Sequence, residues 1–249
     1  MNRSGDKNTQ DGQVGIIAIE IMPVSFRITG AAAGKDQMCN EIYDIFKRHG
    51  WAKAVVVSHS YGSVVSSHLL HNKKTSDLVG PLVLIDPVSI LLHLPDVAYN
   101  FTCRKPKEAN ELQLYYFASM DLGVAHTLGR RFFWSENALW KRDINGHRVT
   151  VTMAGKDLIV NTEAVGRYLA KDNVQGKFEG DGWKHQEWKG SGLDVIWFAN
   201  LDHAQVFDSW HDREVLARVV RKYSELEAPD VNGHVNGHVA YEGCVKNAG

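Results

Sequence analysis

The sequence predicts an α/β fold, with a mostly parallel sheet flanked by helices. Short runs rich in Val and Ile alternate along the chain with segments whose apolar residues recur at helical spacing. Most of these runs show little polar alternation, which is typical of strands buried on both faces. The connections between them are mostly long enough for a helix, and helical crossovers join parallel strands.

Length and composition restrict the classes of protein to consider. A chain of 249 residues with 44% hydrophobic residues suits one large domain with a real core. The formal net charge of -1 gives no indication of a nucleic-acid partner. Cys39, Cys103 and Cys244 are scattered and odd in number, so neither a disulfide framework nor a cysteine metal site is expected. These features predict a cytoplasmic protein.

The two ends of the chain differ in composition from the middle. Residues 1–14 are polar, lack an apolar signal core and are expected to be a disordered lead. The stretch 227–249 contains a short "VNGH" duplication and is expected to be a flexible tail, with His234 and His238 solvated rather than bound to metal. The folded domain is therefore expected to span 15–226.

About five strands are recognisable within this domain. "RVTVTM" alternates polar and apolar residues and is expected nearer an edge of the sheet, whereas the others indicate burial on both faces. The candidates, in chain order, are "IIAIEI" (16–21), "KAVVV" (53–57), "PLVLI" (81–85), "RVTVTM" (148–153) and "DVIWFA" (194–199).

Three helices are well marked between and after these strands. The first begins near Asp36, which can cap it, and ends at Gly50 after a basic last turn. The second is expected over 161–170 and the last over 212–226, each with one apolar face.

A long insertion, 89–145, interrupts the alternation of strands and helices. It is too long for one crossover helix and is rich in aromatic residues. We expect a helical cap over one end of the sheet, where α/β proteins build binding sites, and the alternative is additional core. Contact of its aromatics and the basic stretch 104–107 with a lipid surface is a further, less favoured reading.

The stretch "VVVSHSYGSVV" indicates a nucleophile at Ser60. A strand ends there and an amphipathic helix begins, so the hydroxyl would stand at the carboxyl end of the sheet beside a helix N-terminus. Such a turn needs small residues two positions before and after the nucleophile. Gly62 fits this requirement, and Ser58 stands where glycine is usual.

Serine needs a base that is oriented by an acid, and the expected partners follow in the order serine, acid, histidine. Asp157 follows the strand "RVTVTM", and His203 follows the strand "DVIWFA". Asp86, after "PLVLI", is the rival acid. The side chains of His59 and Asp202 are expected to point away from the site.

With these motifs, the chain resembles the α/β-hydrolase superfamily of serine hydrolases over roughly residues 14 to 226. The insertion resembles, more narrowly, an intracellular group of such proteins frequent in fungi. The resemblance implies hydrolysis, usually of an ester, through an acyl-enzyme on Ser60. No metal or organic cofactor is required by that mechanism.

The resemblance also indicates missing parts. In the superfamily the nucleophile follows the fifth strand, but only "IIAIEI" precedes it here and matches the fourth. The first three strands and the oxyanion loop are therefore expected to be absent, which leaves an open sheet edge that invites self-association. The backbone N–H of Tyr61 is the expected oxyanion donor, and Ser25 or a backbone N–H near it is the substitute for the second.

Three functional hypotheses remain at this point. The first is a serine hydrolase acting on an apolar ester or related acyl substrate. The second is a biosynthetic enzyme that uses the same site for a non-hydrolytic step. The third is a non-catalytic protein that binds a ligand or a partner.

Overall fold

The computed structural model of the chain describes residues 15–25, 30–171 and 180–227. This described part contains a sheet of four parallel strands whose spatial order follows the order of the chain. Because the strands are parallel, their carboxyl ends lie along one edge, where the loops that follow them meet. The strands are β1 (Ala54–His59), β2 (Val79–Ile85), β3 (Val149–Ala154) and β4 (Leu193–Phe198).

Helices connect the strands and cover both faces of the sheet. The three helices expected from the sequence are present, with small changes at their ends. The helices are α1 (Lys35–His49), α2 (Gly62–His71), α3 (Asp96–Ala98), α4 (Ala109–Leu114), α5 (Leu122–Arg130), α6 (Trp134–Asn137), α7 (Thr162–Ala170) and α8 (Trp210–Glu227), with π-helical turns at Tyr99–Cys103 and Tyr115–Ser119.

Local residue chemistry explains where α1 and α7 begin and end. Gly50 ends α1 in the left-handed region, at φ 66°, which glycine adopts without a steric penalty. Asp36 lies in the first turn of α1 rather than at its cap, which is Gly34. The Asn161 side chain caps α7 by accepting a hydrogen bond from the backbone N–H of Ala164 at 3.1 Å.

Strand β2 shows how an inner strand of the sheet is buried on both faces. All seven of its residues are buried. Leu82 and Leu84 point into the larger core cluster, which also contains residues of α1, α2 and α7, whereas Val83 and Ile85 join the smaller cluster formed with α8. Alternate side chains of a strand point to opposite faces, so a strand covered on both faces places successive side chains in two different core clusters.

The prediction for "RVTVTM" was wrong in its position. Strand β3 lies inside the sheet between β2 and β4, and all six of its residues are buried. One of its buried threonines is accommodated by hydrogen bonding: the hydroxyls of Thr150 and Tyr223 lie 2.8 Å apart, and Trp188 Nε1 donates to Thr150 Oγ1. The hydroxyl of Thr152 is buried without a hydrogen-bond partner among the described residues. A buried polar group of this kind imitates the pattern of a half-exposed strand.

The first predicted strand, 16–21, is also wrong, so the described sheet has four strands rather than about five. Ile17 and Ile21 pack against the larger core cluster, while Ile16 is 86% exposed and Ile19 is 47% exposed. Ile19 has the same parity along a strand as Ile17 and Ile21, so its exposure departs from the alternation of a half-buried strand. A strand also needs a ladder of backbone hydrogen bonds, and no strand pairing forms between this segment and β1.

The insertion 89–145 is helical, as the sequence predicted. The beginning of the insertion is hydrogen-bonded to its later part: the backbone N–H of Leu139 donates to the carbonyl of Ser89 at 2.9 Å, and Ile90 and Leu139 form a β-bridge. Asn100 Nδ2 donates to the carbonyl of Ile159 at 3.0 Å, which places the first half of the insertion against the loop after β3. Whether the insertion acts as a cap over a substrate remains a prediction.

Several expectations concern residues outside the described part. The predicted lead 1–14 and the predicted tail beyond Glu227, with its two histidines and Cys244, lie there. Within the described ranges, no helix combines the length and the apolar character needed to cross a bilayer.

Candidate active site

The turn between β1 and α2 places Ser60 in a strained conformation. Its φ is 50°, in the left-handed region that residues with a side chain seldom occupy. The turn is held because the backbone N–H of Ser60 donates to the carbonyl of Ile85 at 2.9 Å, so the chain is bonded to β2 up to the serine itself. Strain maintained by the surrounding structure is common where a side chain has to be presented for function.

Packing around the turn explains why Ser58 is tolerated in place of the usual glycine. A β-carbon added to Gly62 would lie 3.3 Å from the β-carbon of Ser58, so only one of the two positions can comfortably carry a side chain. Ser58 is buried, and its hydroxyl accepts a hydrogen bond from the Ser66 hydroxyl at 2.9 Å. The departure from the expected motif is therefore compensated by Gly62 and Ser66.

The structure brings Ser60, His203 and Asp157 together in one chain of hydrogen bonds. Ser60 Oγ lies 2.8 Å from His203 Nε2, and His203 Nδ1 lies 2.8 Å from Asp157 Oδ2. With the ring proton on Nδ1, the ring donates to the carboxylate and accepts the hydrogen bond from the serine hydroxyl. This is the arrangement in which a histidine can take the proton of an attacking hydroxyl.

The loops after β3 and β4 fix the two partners of Ser60. Asp157 Oδ1 accepts backbone N–H groups of Ile159 at 2.7 Å and Val160 at 2.8 Å, which leaves Oδ2 directed at the ring. The Asp157 side chain is fully buried and the His203 side chain is 12% exposed. Water is therefore largely kept away from the ion pair that a protonated ring would form with the carboxylate.

The pKa of His203 is raised above its ordinary value by its acidic surroundings. Burial by itself lowers this pKa, but the hydrogen bond to Asp157 and the negative charges of Asp157, Asp86 and Asp202 outweigh that effect. A raised pKa makes the ring a stronger base, and it also stabilises the imidazolium that forms when the serine attacks.

Asp86, the rival acid, makes other bonds. Its Oδ1 accepts the backbone N–H of Ala154 at 2.9 Å, and its Oδ2 accepts that of Ala204 at 3.0 Å. It is 2% exposed, and burial raises the pKa of its carboxyl group. Asp86 thus connects the end of β3 to the residue after His203, while the acid hydrogen-bonded to the ring is Asp157.

The expectation that His59 points away from the site was wrong. Its ring lies 5.2 Å from the ring of His203 and packs edge-on against Phe207, with centroids 5.1 Å apart. Burial, followed by the charge of His203, lowers the pKa of His59 to about 4, so it is neutral near pH 7. An uncharged His59 ring therefore lies beside the His203 ring. Sequence reasoning had no signal for this placement, because it depends on the direction of a single side chain.

The carboxylate of Asp202 contacts none of the side chains of Ser60, Asp157 and His203, but it has a structural role that was not foreseen. Its Oδ1 accepts the backbone N–H groups of Leu158 at 2.9 Å and His203 at 2.7 Å, and so binds the loops that carry the acid and the base. The available sequence signal was the position of this aspartate directly before the histidine at the end of a strand. A second unforeseen contact is Ser63, whose hydroxyl donates to the Ser60 carbonyl at 2.7 Å.

The oxyanion side of Ser60, where hydrogen-bond donors would stabilise the negative oxygen of the substrate, has fewer defined groups than the side of His203. The backbone N–H of Tyr61 precedes the first turn of α2 and donates to no acceptor among the described residues, so it is available to an anion. The hydroxyl of Ser25, the predicted substitute for the second donor, donates instead to the carbonyl of Ile21 at 2.9 Å. The roles of both residues remain predictions.

A metal ion has a poor fit at this cluster. Asp86, Asp157 and His203 each offer a ligand atom, and these atoms lie within 4.8 Å of one another. All four carboxylate oxygens already accept hydrogen bonds, and both ring nitrogens are bonded as well. A cation would have to displace these bonds, which fits a hydrogen-bonded catalytic set better than a vacant metal site.

Comparison with known proteins adds likenesses of fold. Neither a protein-family model nor a curated protein matches the chain. It is similar to the solved structure of the N-acyl homoserine lactonase AidH, with 14% identity and a TM-score of 0.47 over 83% of this chain and 74% of that one. It is similar to a meta-cleavage product hydrolase from Pseudomonas fluorescens IP01, with 15% identity and a TM-score of 0.45 over 80% and 74%.

A third similar structure is that of an alpha/beta hydrolase family protein from Desulfitobacterium hafniense, with 13% identity and a TM-score of 0.48 over 82% of each chain. The fold and the chemistry of the site rest on the sheet topology and the distances given above. The arrangement implied by the sequence resemblance is present in the described residues: a parallel sheet, a strained turn after one strand, and the acid and histidine loops after two later strands. The narrower likeness to a group frequent in fungi remains a prediction.

Proposed function

We propose that this protein is a serine hydrolase of the α/β-hydrolase type, which cleaves an ester or related acyl substrate through an acyl-enzyme on Ser60. The observation that supports it most is the pair of 2.8 Å contacts that join Ser60, His203 and Asp157, formed from three separate loops at the carboxyl edge of the sheet. The fold itself does not require a serine hydroxyl bonded to His203, so this contact is better explained by a catalytic role.

The chemical steps follow from this geometry. His203 takes the proton of Ser60 as Oγ attacks the acyl carbon, and Asp157 stabilises the imidazolium through Nδ1. The oxygen that becomes negative is stabilised by the N–H of Tyr61 at the N-terminus of α2. His203 then returns the proton to the leaving group, and an activated water releases the acyl group in the second half of the reaction.

We propose that the substrate has an apolar acyl part, because the insertion carries aromatic side chains. The insertion exposes Tyr116, Phe117 and Phe133, and the ring of Phe132 lies 6.0 Å from that of Tyr61, next to the nucleophile. The contact of Phe132 places one aromatic ring of the insertion beside Tyr61, and apolar surface next to a few polar groups is typical of small-molecule sites. The intracellular location expected from the sequence belongs to the same proposal.

The test is covalent labelling of the folded chain with a fluorescent fluorophosphonate, which reacts with activated serines. We expect the wild-type chain to be labelled and Ser60→Ala to be unlabelled. Ser191→Ala is the matched control, because Ser191 is exposed in the turn before β4, at the opposite end of the sheet, and it should be labelled like the wild type. Mass spectrometry must locate the adduct on the peptide with Ser60, and an adduct elsewhere would refute the proposal.

One observation favours the alternative of a ligand-binding protein without catalysis. The Ser25 hydroxyl is engaged with its own segment, so the described residues provide one clear oxyanion donor rather than two. Loss of one such donor costs a hydrolase about 100- to 1000-fold in rate. A folded wild-type chain that binds an apolar ester, yet shows neither labelling nor turnover, would support this alternative.

A further inference from the structure

The carboxylate of Asp202 joins three parts of the molecule. Its Oδ1 accepts the backbone N–H of Leu158, in the acid loop, and that of His203, in the histidine loop. Its Oδ2 accepts the side-chain amide of Asn110, in α4 of the insertion, at 3.0 Å. One side chain therefore contacts both loops of the proposed site and the helical insertion beside it.

The Oδ1 contacts fix the relative position of the two loops. Leu158 directly follows Asp157, and His203 directly follows Asp202, so the backbone atoms next to the acid and the base converge on a single oxygen. Asp86 makes a parallel connection on the other side, from Ala154 to Ala204. The histidine backbone is thus held between two carboxylates, and its ring has little freedom to leave Ser60.

The Oδ2 contact extends this arrangement to the insertion. Asn110 lies in the first turn of α4, whose start is stabilised by a capping box between Glu108 and Glu111. Other links from the insertion reach the acid loop, through Asn100 and Ile159 and through Asp96 and Asn161. The link through Asn110 is directed at the histidine loop, so a displacement of α4 would act on His203.

We propose that Asp202 is a positioning residue that aligns His203 with Asp157 and couples this alignment to the placement of α4. The proposal rests on the proposed function for its catalytic meaning, but the geometric coupling between α4 and His203 does not depend on catalysis. A substrate that moves the insertion on entering the site would then change the strength of the base. Errors of about 1 Å in the position of a catalytic group can cost about 100-fold in rate.

The test exchanges the two partners of the side-chain hydrogen bond. Asn110→Asp opposes two carboxylates and should lower the rate of labelling by fluorophosphonate about 10-fold. Asp202→Asn preserves the shape, keeps an oxygen for both backbone N–H groups and can donate to a rotated Asn110 amide. The double variant N110D/D202N restores the bond with donor and acceptor reversed, so its rate should return to that of D202N alone, within about 3-fold.

Two further variants define the size and the origin of the effect. Gln113→Asp adds the same charge to α4 at an exposed position three residues further on and should leave the rate unchanged. Asp202→Ala removes all three contacts and should lower the rate about 100-fold. Thermal unfolding of every variant, measured in parallel, identifies losses of rate that arise from unfolding. A rate for N110D equal to that for Q113D, or no recovery in the double variant, would overturn the proposal.

A readout without catalysis separates this proposal from the proposed function. The ring resonances of His203, assigned by comparison with His203→Gln in histidine-labelled protein, report its environment by NMR. We expect the shifts caused by N110D and D202N to be non-additive, with the double variant close to D202N. If the wild-type chain is not labelled but this pattern appears, the hydrolase proposal fails and the coupling holds. Additive shifts would reject the coupling even in an active enzyme.

Discussion

The two sides of Ser60 are built very differently. On the side of the base, each oxygen of Asp86 and Asp157 accepts a hydrogen bond, and both nitrogens of His203 are bonded. On the oxyanion side, the described residues offer the N–H of Tyr61, and the nearby candidate Ser25 donates its proton to Ile21. One half of the site is fixed in the resting protein, whereas the other is only partly formed.

This difference shows which functions strand ends can supply. In a parallel sheet, neighbouring strands end at the same edge, so residues far apart in the chain are brought together without additional contacts. The acid and the base come from β3 and β4 in this way. A second oxyanion donor has to come from a segment outside the four strands, and the segment 15–25 has no strand partner and ends in a 3-10 helical turn at Met22–Val24.

The largest effect should come from replacing Asp157, the acid on the side of Ser60 that is fixed by hydrogen bonds. Asp157→Asn leaves the shape intact, but an amide at this place favours the wrong ring tautomer and no longer stabilises the imidazolium. We expect the rate of turnover or labelling to fall about 1000- to 10,000-fold. Measurement of kcat and KM on an ester should show the loss in kcat, because Asp157 contacts the base rather than the substrate.

Asp86→Asn is the matched control for this prediction. Asp86 bonds backbone groups on either side of the site and not the ring of His203, so its amide variant should lose no more than about 10-fold. If Asp86→Asn were the more damaging change in a variant that is still folded, the assignment of the acid would have to be reversed.

A substitution at Gly155 should disturb the same side of the site through the backbone. A β-carbon on Gly155 would lie 2.5 Å from the carbonyl oxygen of Ala199, so Gly155→Ala would force the ends of β3 and β4 apart. We expect the free energy of unfolding to fall by about 1–3 kcal/mol, and activity to fall with it because Asp157 is two residues further on. Urea denaturation measures the first effect.

The control for this prediction is Gly129→Ala in α5, where an added β-carbon meets no atom within 4 Å. Alanine is favoured over glycine inside a helix by about 0.5–1 kcal/mol, so this variant should be slightly more stable than the wild type. Equal destabilisation by both changes would mean that the close approach of Gly155 to Ala199 is unimportant.

The sequence predicted best those features that a residue pattern restricts to one kind of environment, such as a buried strand or the end of a strand. The apolar runs predicted β1 to β4, and complete burial is found in the two inner strands, β2 and β3. The order of Ser60, Asp157 and His203 predicted their meeting, because each follows a strand. Pairing partners and side-chain directions were not accessible: 16–21 has the composition of a buried strand and lacks a neighbour, and the bonds from Asp202 to the backbone of two loops were not foreseen.

The pH dependence tests the electrostatics of the fixed side. His203 acts as a base only when neutral, and Asp157, Asp86, Asp202 and neutral His59 surround it. Its pKa is raised above the ordinary 6.5, so the labelling rate should rise with pH with a midpoint above 6.5. Asp202→Asn removes one of the charges that raise this pKa and should move the midpoint to lower pH, whereas Gln113→Asp should not.

The raised pKa of His203 also makes the stability of the folded protein depend on pH, and this stability falls over the range in which the labelling rate rises. A histidine whose pKa is raised in the folded state contributes stability that is fully present below pH 6.5 and is lost as the pH rises through the folded-state pKa. The stability contributed by His203 should therefore decline over the pH range in which labelling increases. Urea denaturation across this range, with His203→Gln as the reference, measures that contribution, and a midpoint of labelling below 6.5 would contradict the raised pKa.

The smallest effect is expected on the less complete side, from Ser25→Ala. Because the Ser25 hydroxyl donates to the carbonyl of Ile21, its loss should change the labelling rate by less than about 3-fold. A loss of 100- to 1000-fold in a folded variant would instead have the size expected for removal of an oxyanion donor. The hydroxyl would then have to turn from Ile21 towards the substrate during the reaction, and the oxyanion side would be completed by binding rather than left with one donor. Measurement with a short and a long acyl ester distinguishes these cases further, because completion that depends on binding should make the loss depend on the length of the acyl chain.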